Sequence, residues 1–185
     1  MTTDGNTIAP ADPKLGKPKA PPPPTLTRLA GDAQVESIDG PLEIGGMVGK
    51  FLPVLTRVGD GSLGFRMMRE VRQVEPAGRI LRIVNAEGQS VRVGVGHVFV
   101  RADGKDVRAG DLVAGDRLEA GWTYPTGYVL PEADEYAAPA RGRSWEPVIV
   151  VAAIESSGEE PLFGFTVNET RNYFLTFGAR SRAQR

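Results

Sequence analysis

The 185-residue chain contains no cysteine and a single histidine, His97. Without thiols it can form no disulfide, no thiolate zinc site and no cysteine nucleophile. One imidazole excludes any metal centre built from several histidines. Long apolar runs are missing as well, and no stretch approaches the ~18 residues of a membrane span. Nor is there an excess of charge of one sign. Lys and Arg number 22 against 23 Asp and Glu, and a net charge of −1 gives no electrostatic case for nucleic acid or an anionic membrane. The first residues carry Asp4, Asn6 and Pro10 where a secretory signal needs a basic start and an apolar stretch. A cytoplasmic chain, or one riding on a particle assembled there, is therefore expected.

What is present fits one globular domain with a tail. Hydrophobic residues make up 41% and charged residues 24%, ordinary for a folded chain of this length. Residues 1–26 stand apart as an arm, with seven prolines that include Pro21, Pro22, Pro23 and Pro24, and with Lys14, Lys17 and Lys19. The arm has no apolar periodicity and cannot offset its ordering entropy by burial, so extended, polyproline-II-like chain is expected there. It reads either as a solvated leader or as a tether that docks on a protein partner through the proline run.

From Gly31 onward the pattern is β throughout. Short runs rich in branched residues cover 52–58, 65–74, 79–84, 89–93, 163–167 and 173–177. Asp39-Gly40, Gly59-Asp60-Gly61, Pro76-Ala77-Gly78, Glu87-Gly88 and Asp103-Gly104 read as turns between them. Val148-Ile149-Val150-Val151 suits one buried strand. The segment 44–49 holds too much glycine for a stable helix, while 106–112 suits a single helical turn. Residues 121–143 read as loop. Many short strands at this spacing predict an all-β sandwich, barrel or wrapped sheet.

Few residues suggest chemistry directly. Gly94-Val95-Gly96 lacks the third glycine and the following helix of a dinucleotide loop. Glu132, Asp134 and Glu135 have the oxygen ligands a divalent cation needs, but a proline-punctuated acidic loop is ordinarily only solvated. Asp32, Asp39 and Asp116 read as turn aspartates. Arg180, Arg182 and Arg185 make a short basic end, and Arg141 and Arg143 flank Trp145. His97, between an alternating run and Val98-Phe99-Val100, reads as a buried ring bonded to a backbone carbonyl, or as a pH-sensing or residual binding group. No cofactor or metal is expected.

The order of Leu29-Ala30-Gly31-Asp32, Gly94-Val95-Gly96-His97, Ala109 to Leu118, Phe163 to Val167 and Asn172-Tyr173-Phe174 resembles the Hint domain family of inteins and Hedgehog autoprocessing domains. The resemblance covers roughly residues 28–185. It implies a wrapped β fold whose two ends meet at one cleft, where a cysteine takes an acyl group from its own amide with help from the histidine. Gly31, Gly40, Ile44, Phe99, Leu112, Gly115, Asp116, Leu118, Val167, Tyr173, Phe174 and Gly178 match types the family uses for turns and core. The functional positions do not match. The nucleophile position falls on Arg28, or on Thr27 if the turn is one residue longer. A guanidinium is no nucleophile at neutral pH; a threonine needs a positioned base. The threonine three residues before the family's histidine is Gly94, and the aspartate after the first aromatic of the C-terminal block is Gly164. The histidine before Asn-Tyr-Phe is Arg171, and the closing His-Asn pair is Arg182 and Ala183. Ala183 has no amide to cyclise. The resemblance thus implies the fold without its chemistry: a pseudo-intein module serving as a structural or protein-binding part of a larger assembly, for which phage or phage-like particles are fitting hosts. The alternative is atypical splicing or self-cleavage, with Thr27 as nucleophile and His97 as base.

Overall fold

The computed structural model describes residues 27–121 and 148–184. Among them are twelve antiparallel strands: β1 (Leu29–Ala30), β2 (Gln34–Ser37), β3 (Gly40–Glu43), β4 (Leu52–Arg57), β5 (Leu63–Asn85), β6 (Ser90–Gly94), β7 (Val98–Val100), β8 (Asp106–Arg108), β9 (Arg117–Glu119), β10 (Val148–Val167), β11 (Asn172–Phe174) and β12 (Arg180–Arg182). The arm, the acidic loop residues Glu132, Asp134 and Glu135, Trp145 and Arg185 lie outside the described residues. No helix among those described is long and apolar enough to cross a membrane.

Eight strands form one sheet in the order β3-β2-β4-β5-β6-β1-β10-β9, and β5 pairs a second time with β10. That extra pairing closes β5, β6, β1 and β10 into a ring, so the sheet wraps on itself as the resemblance implies. Strands β11-β12-β7-β8 make a second sheet. The main core joins both sheets: Leu29, Ile44, Val54, Met68, Ile83, Phe99, Leu118, Phe165, Tyr173 and Leu175 are all fully buried in one cluster.

The turns form where short polar side chains can bond the backbone. Asn85 Oδ1 accepts from the N–H groups of Glu87 and Gln89 at 3.0 and 2.8 Å. Asp60 Oδ1 does the same for Ser62 at 2.9 Å, and Asp103 for Lys105 at 3.0 Å. The β2–β3 hairpin turns at Gly40, whose φ of +95° is strained for any other residue. Asp116 pairs with Arg101 and accepts from the Val113 N–H, closing the turn before β9.

Four sequence expectations need correction. Pro76-Ala77-Gly78 is no turn, because β5 runs through it opposite β10, and register shifts between Ser156 and Glu159 and between Glu160 and Leu162 absorb the irregularity. For the same reason 163–167 is the end of β10, not a separate strand. Residues 44–47 agree with the expectation, forming only a short 3₁₀ turn anchored by buried Ile44 and by the Gly45 N–H on the Gly31 carbonyl at 2.9 Å. Residues 106–108 are strand, and only Ala109–Asp111 turn. The valine run is also less enclosed than expected: Val151 is buried but Val150 faces solvent.

Candidate functional site

The two-residue strand β1 slots between β6 and β10, with Leu29 opposite both Val93 and Phe163 and Ala30 opposite Leu162. This carries Thr27 and Arg28 into the middle of the wrapped sheet. The Arg28 carbonyl accepts from the Gly94 N–H at 2.8 Å. From the other end of the chain, β12 pairs with β7 through Ser181 and Phe99. The two ends therefore meet: the buried Thr27 hydroxyl donates to the Arg182 carbonyl at 2.7 Å. Ala183 is buried as well, its N–H on the Arg171 carbonyl at 3.0 Å.

His97 stands at this meeting point. Its N–H bonds the Gly94 carbonyl at 2.8 Å, and its carbonyl accepts from Ala109 at 2.8 Å, so the backbone on both sides is fixed. The ring is fully buried and packs edge-on to Phe99 with centroids 4.7 Å apart. Contrary to the sequence reading, the ring bonds no carbonyl. Nδ1 accepts from the Arg28 N–H at 3.2 Å, and Nε2 lies 3.1 Å from Ser181 Oγ. These bonds set the tautomer: with Nδ1 accepting, the proton of the neutral ring sits on Nε2 and is donated to Ser181. Burial, then the nearby Arg28 charge, pushes the imidazole pKa down to about 3. The ring thus addresses the amide nitrogen of the Thr27–Arg28 bond with a lone pair, and at neutral pH has no proton to give it.

Around this bond the glycines are closely packed by their neighbours. A Cβ at Gly94 would lie 2.5 Å from Leu162 Cδ1 and 3.1 Å from Arg28 Cβ, so a side chain there would displace the end of Leu162. A Cβ at Gly96 would collide with the Arg28 guanidinium, which folds back over the glycine loop and approaches Glu75 at 3.9 Å. A Cβ at Gly164 would collide with Gln184 Nε2 and stand 2.9 Å from both the Thr27 carbonyl oxygen and Val74 Cγ1. The Gln184 amide fills the space an aspartate would need, held through Oε1 by Arg72 at 3.0 Å.

The structure brings together Thr27, Arg28, Gly94, His97, Gly164, Arg182 and Ala183. Arg171 touches the group only through its carbonyl, and its side chain is exposed. The basic end does not gather into an anion site, since Arg180 pairs with Glu119 and Arg182 with Asp106 at 2.8 Å each. Asp32 pairs with Arg92 at the surface. Sequence reading missed Ser181, Gln184, Leu162 and Tyr173. The Tyr173 hydroxyl is buried beside Thr27 and Ser181 without a well-formed hydrogen bond, and burial pushes its pKa up. Gln184 alone had a visible signal, a side-chain amide one residue past the position where one was sought.

No protein-family model matches the chain, and no curated protein does. Solved structures do. A variant of the Ssp DnaB mini-intein aligns with a TM-score of 0.68 at 14% identity, over 87% of this chain and 97% of its own. An intein-like domain from Clostridium thermocellum gives 0.60 at 16% identity, over 85% and 99%. The DnaX mini-intein from Spirulina platensis gives 0.60 at 15% identity, over 84% and 98%. A ring-closed antiparallel sheet, both ends of the described region in one cleft, a histidine on the Thr27–Arg28 amide and this match across nearly whole domains together identify the architecture: the chain has the Hint fold of inteins.

Proposed function

We propose that the domain is a non-catalytic Hint-fold module, used as a structural or protein-binding component of a larger assembly, with a phage or phage-like particle as one fitting setting. One observation carries the reading. The histidine still sits on the Thr27–Arg28 amide at 3.2 Å, yet the residue that should attack there ends in a guanidinium. The neighbouring glycines are packed against Leu162, Arg28 and Gln184. A compact scaffold can outlast its chemistry, because fold and site constrain different atoms. The Thr27 alternative draws less support. His97 bonds the nitrogen that follows Thr27, and the Thr27 hydroxyl is engaged with the Arg182 carbonyl.

In this reading the proline-rich arm is the tether. A proline run is extended before it binds and loses little entropy on docking. The test is a comparative capture from the native host using the full chain and a full-length variant with Pro21–Pro24 replaced by glycine. A partner held by the first and lost by the second is expected. Identical partner sets would move the binding surface onto the β domain.

A further inference from the structure

A second cleft, of about 300 Å³, shares no residue with the junction and is walled by β2, β6 and the turn after β11. Its walls are fixed by bonds that leave polar atoms over. The Thr176 N–H donates to the Gln34 carbonyl at 3.0 Å. Asn85 holds Gln89 twice, accepting its N–H at 2.8 Å and donating Nδ2 to its Oε1 at 3.0 Å, so Gln89 keeps both Nε2 protons. Ser90 Oγ accepts from Arg82 at 3.2 Å and keeps its own proton. Thr176 Oγ1 is buried and has no partner. Beside it Glu36, on the same face of β2 as Gln34, is 3% exposed, with Oε1 unpartnered too. Buried polar atoms are ordinarily bonded. An orphan in the wall of a cleft, with a second beside it, therefore points to a ligand that supplies the missing partner.

We infer that this cleft binds a neutral, hydroxyl-rich ring the size of one monosaccharide. Charge argues for neutrality. The guanidinium in the wall, Arg92, is engaged by Asp32 at 2.9 Å and by Glu160. An anion would face those two carboxylates, and a cation would face the guanidinium. Size argues for a single ring, since the volume lies at the lower end of the range for ligand sites. The chemistry of the wall argues for hydroxyls. A hydroxyl both donates and accepts, which suits donors at Gln89 Nε2 and Ser90 Oγ together with acceptors at Gln34 Oε1 and Thr176 Oγ1. Val91 and Phe177 supply apolar wall for the C–H face of the ring. A ring hydroxyl gives Thr176 the bond it lacks. The inference stands apart from the functional proposal, which concerns the junction and the arm, and neither fails with the other.

The test is a titration of the isotope-labelled full chain with glucose, galactose and N-acetylglucosamine, each to about 100 mM. At least one sugar should move the amide signals of Gln34, Ser90 and Thr176 along saturating curves, while inorganic phosphate and acetate leave them in place. Thr176→Val removes the hydroxyl and keeps the shape. It should weaken binding about three- to tenfold, the worth of one hydrogen bond. Gln34→Ala, a change at an exposed side chain that the fold tolerates, should weaken it within the same range. No saturation with any of the three sugars overturns the inference. So do saturating shifts that neither variant alters, since the ligand then sits elsewhere. An equal response to phosphate or acetate overturns it as well, because the cleft would then take a charged ligand.

Discussion

The frame of this domain and the cleft at its junction differ in how far their residues match the resemblance to the Hint family. In the frame, Ile44, Phe99, Leu118, Tyr173 and Phe174 are wholly buried, and Gly40 and Gly178 hold φ angles of +95° and +104°. These are the positions and residue types that the resemblance assigns to core and turns. In the cleft, Arg28, Gly94, Gly164 and Ala183 stand where it assigns reacting groups. Leu162, Arg28 and Gln184 fill the volume beside Gly94 and Gly164. A fold requires volume and turn conformation, whereas a reaction requires a few atoms in register, so neighbours can repack the second while the first persists.

That comparison can be broken most severely in the frame. Phe174→Ala should cost ~3–5 kcal/mol in denaturant unfolding, as a large-to-small change in a closed core. A negligible change would remove Phe174 from the core. The cleft should resist restoration. Gly94→Thr puts back the expected hydroxyl, but against Leu162 and Arg28 it should destabilise by ~1–3 kcal/mol through overpacking. A stabilised protein would mean the cleft has room, and that its glycines are relics of no structural weight.

The smallest effect is at His97. His97→Ala leaves the buried Arg28 N–H without its acceptor and should cost ~1–2 kcal/mol at neutral pH. The pH dependence gives the sharper signature. Burial and the Arg28 charge hold the folded imidazole at about 3, below the ~6.5 of a free histidine, so the unfolded chain binds more protons between these values. Stability is then fully present above about pH 6.5 and declines as pH falls toward 3, by up to ~1.4 kcal/mol per pH unit. Glu36, whose buried carboxyl is pushed up, contributes in the opposite direction and is common to both proteins. Subtracting the His97→Ala pH profile from that of the parent isolates the histidine. Parallel profiles would show that the ring is not held neutral.

Much of the frame was legible in the sequence because turns are local. Asp39-Gly40, Asp60-Gly61, Glu87-Gly88 and Asp103-Gly104 each read correctly from two or three residues. The long β5–β10 ribbon was not legible. Pro76 and Gly78 carry a turn signal, and only the partner strand, with its shifted register, overrides it. In the cleft, His97 and the other positions of the resemblance could be located by order along the chain. Their partners could not, because Ser181 lies 84 residues from His97 and Gln184 lies 112 from Arg72. Contacts at such separations leave no periodic trace, and the packing that closes the cleft emerges only in three dimensions.

The central claim is that the cleft keeps its geometry and has lost its reaction. Intact mass tests it most directly. The full chain, expressed with unrelated flanking sequences at both ends and incubated at pH 7 with and without hydroxylamine, should show one species, the uncleaved precursor. A fragment ending at Leu26 or Thr27, or a ligated pair of flanks, would contradict it.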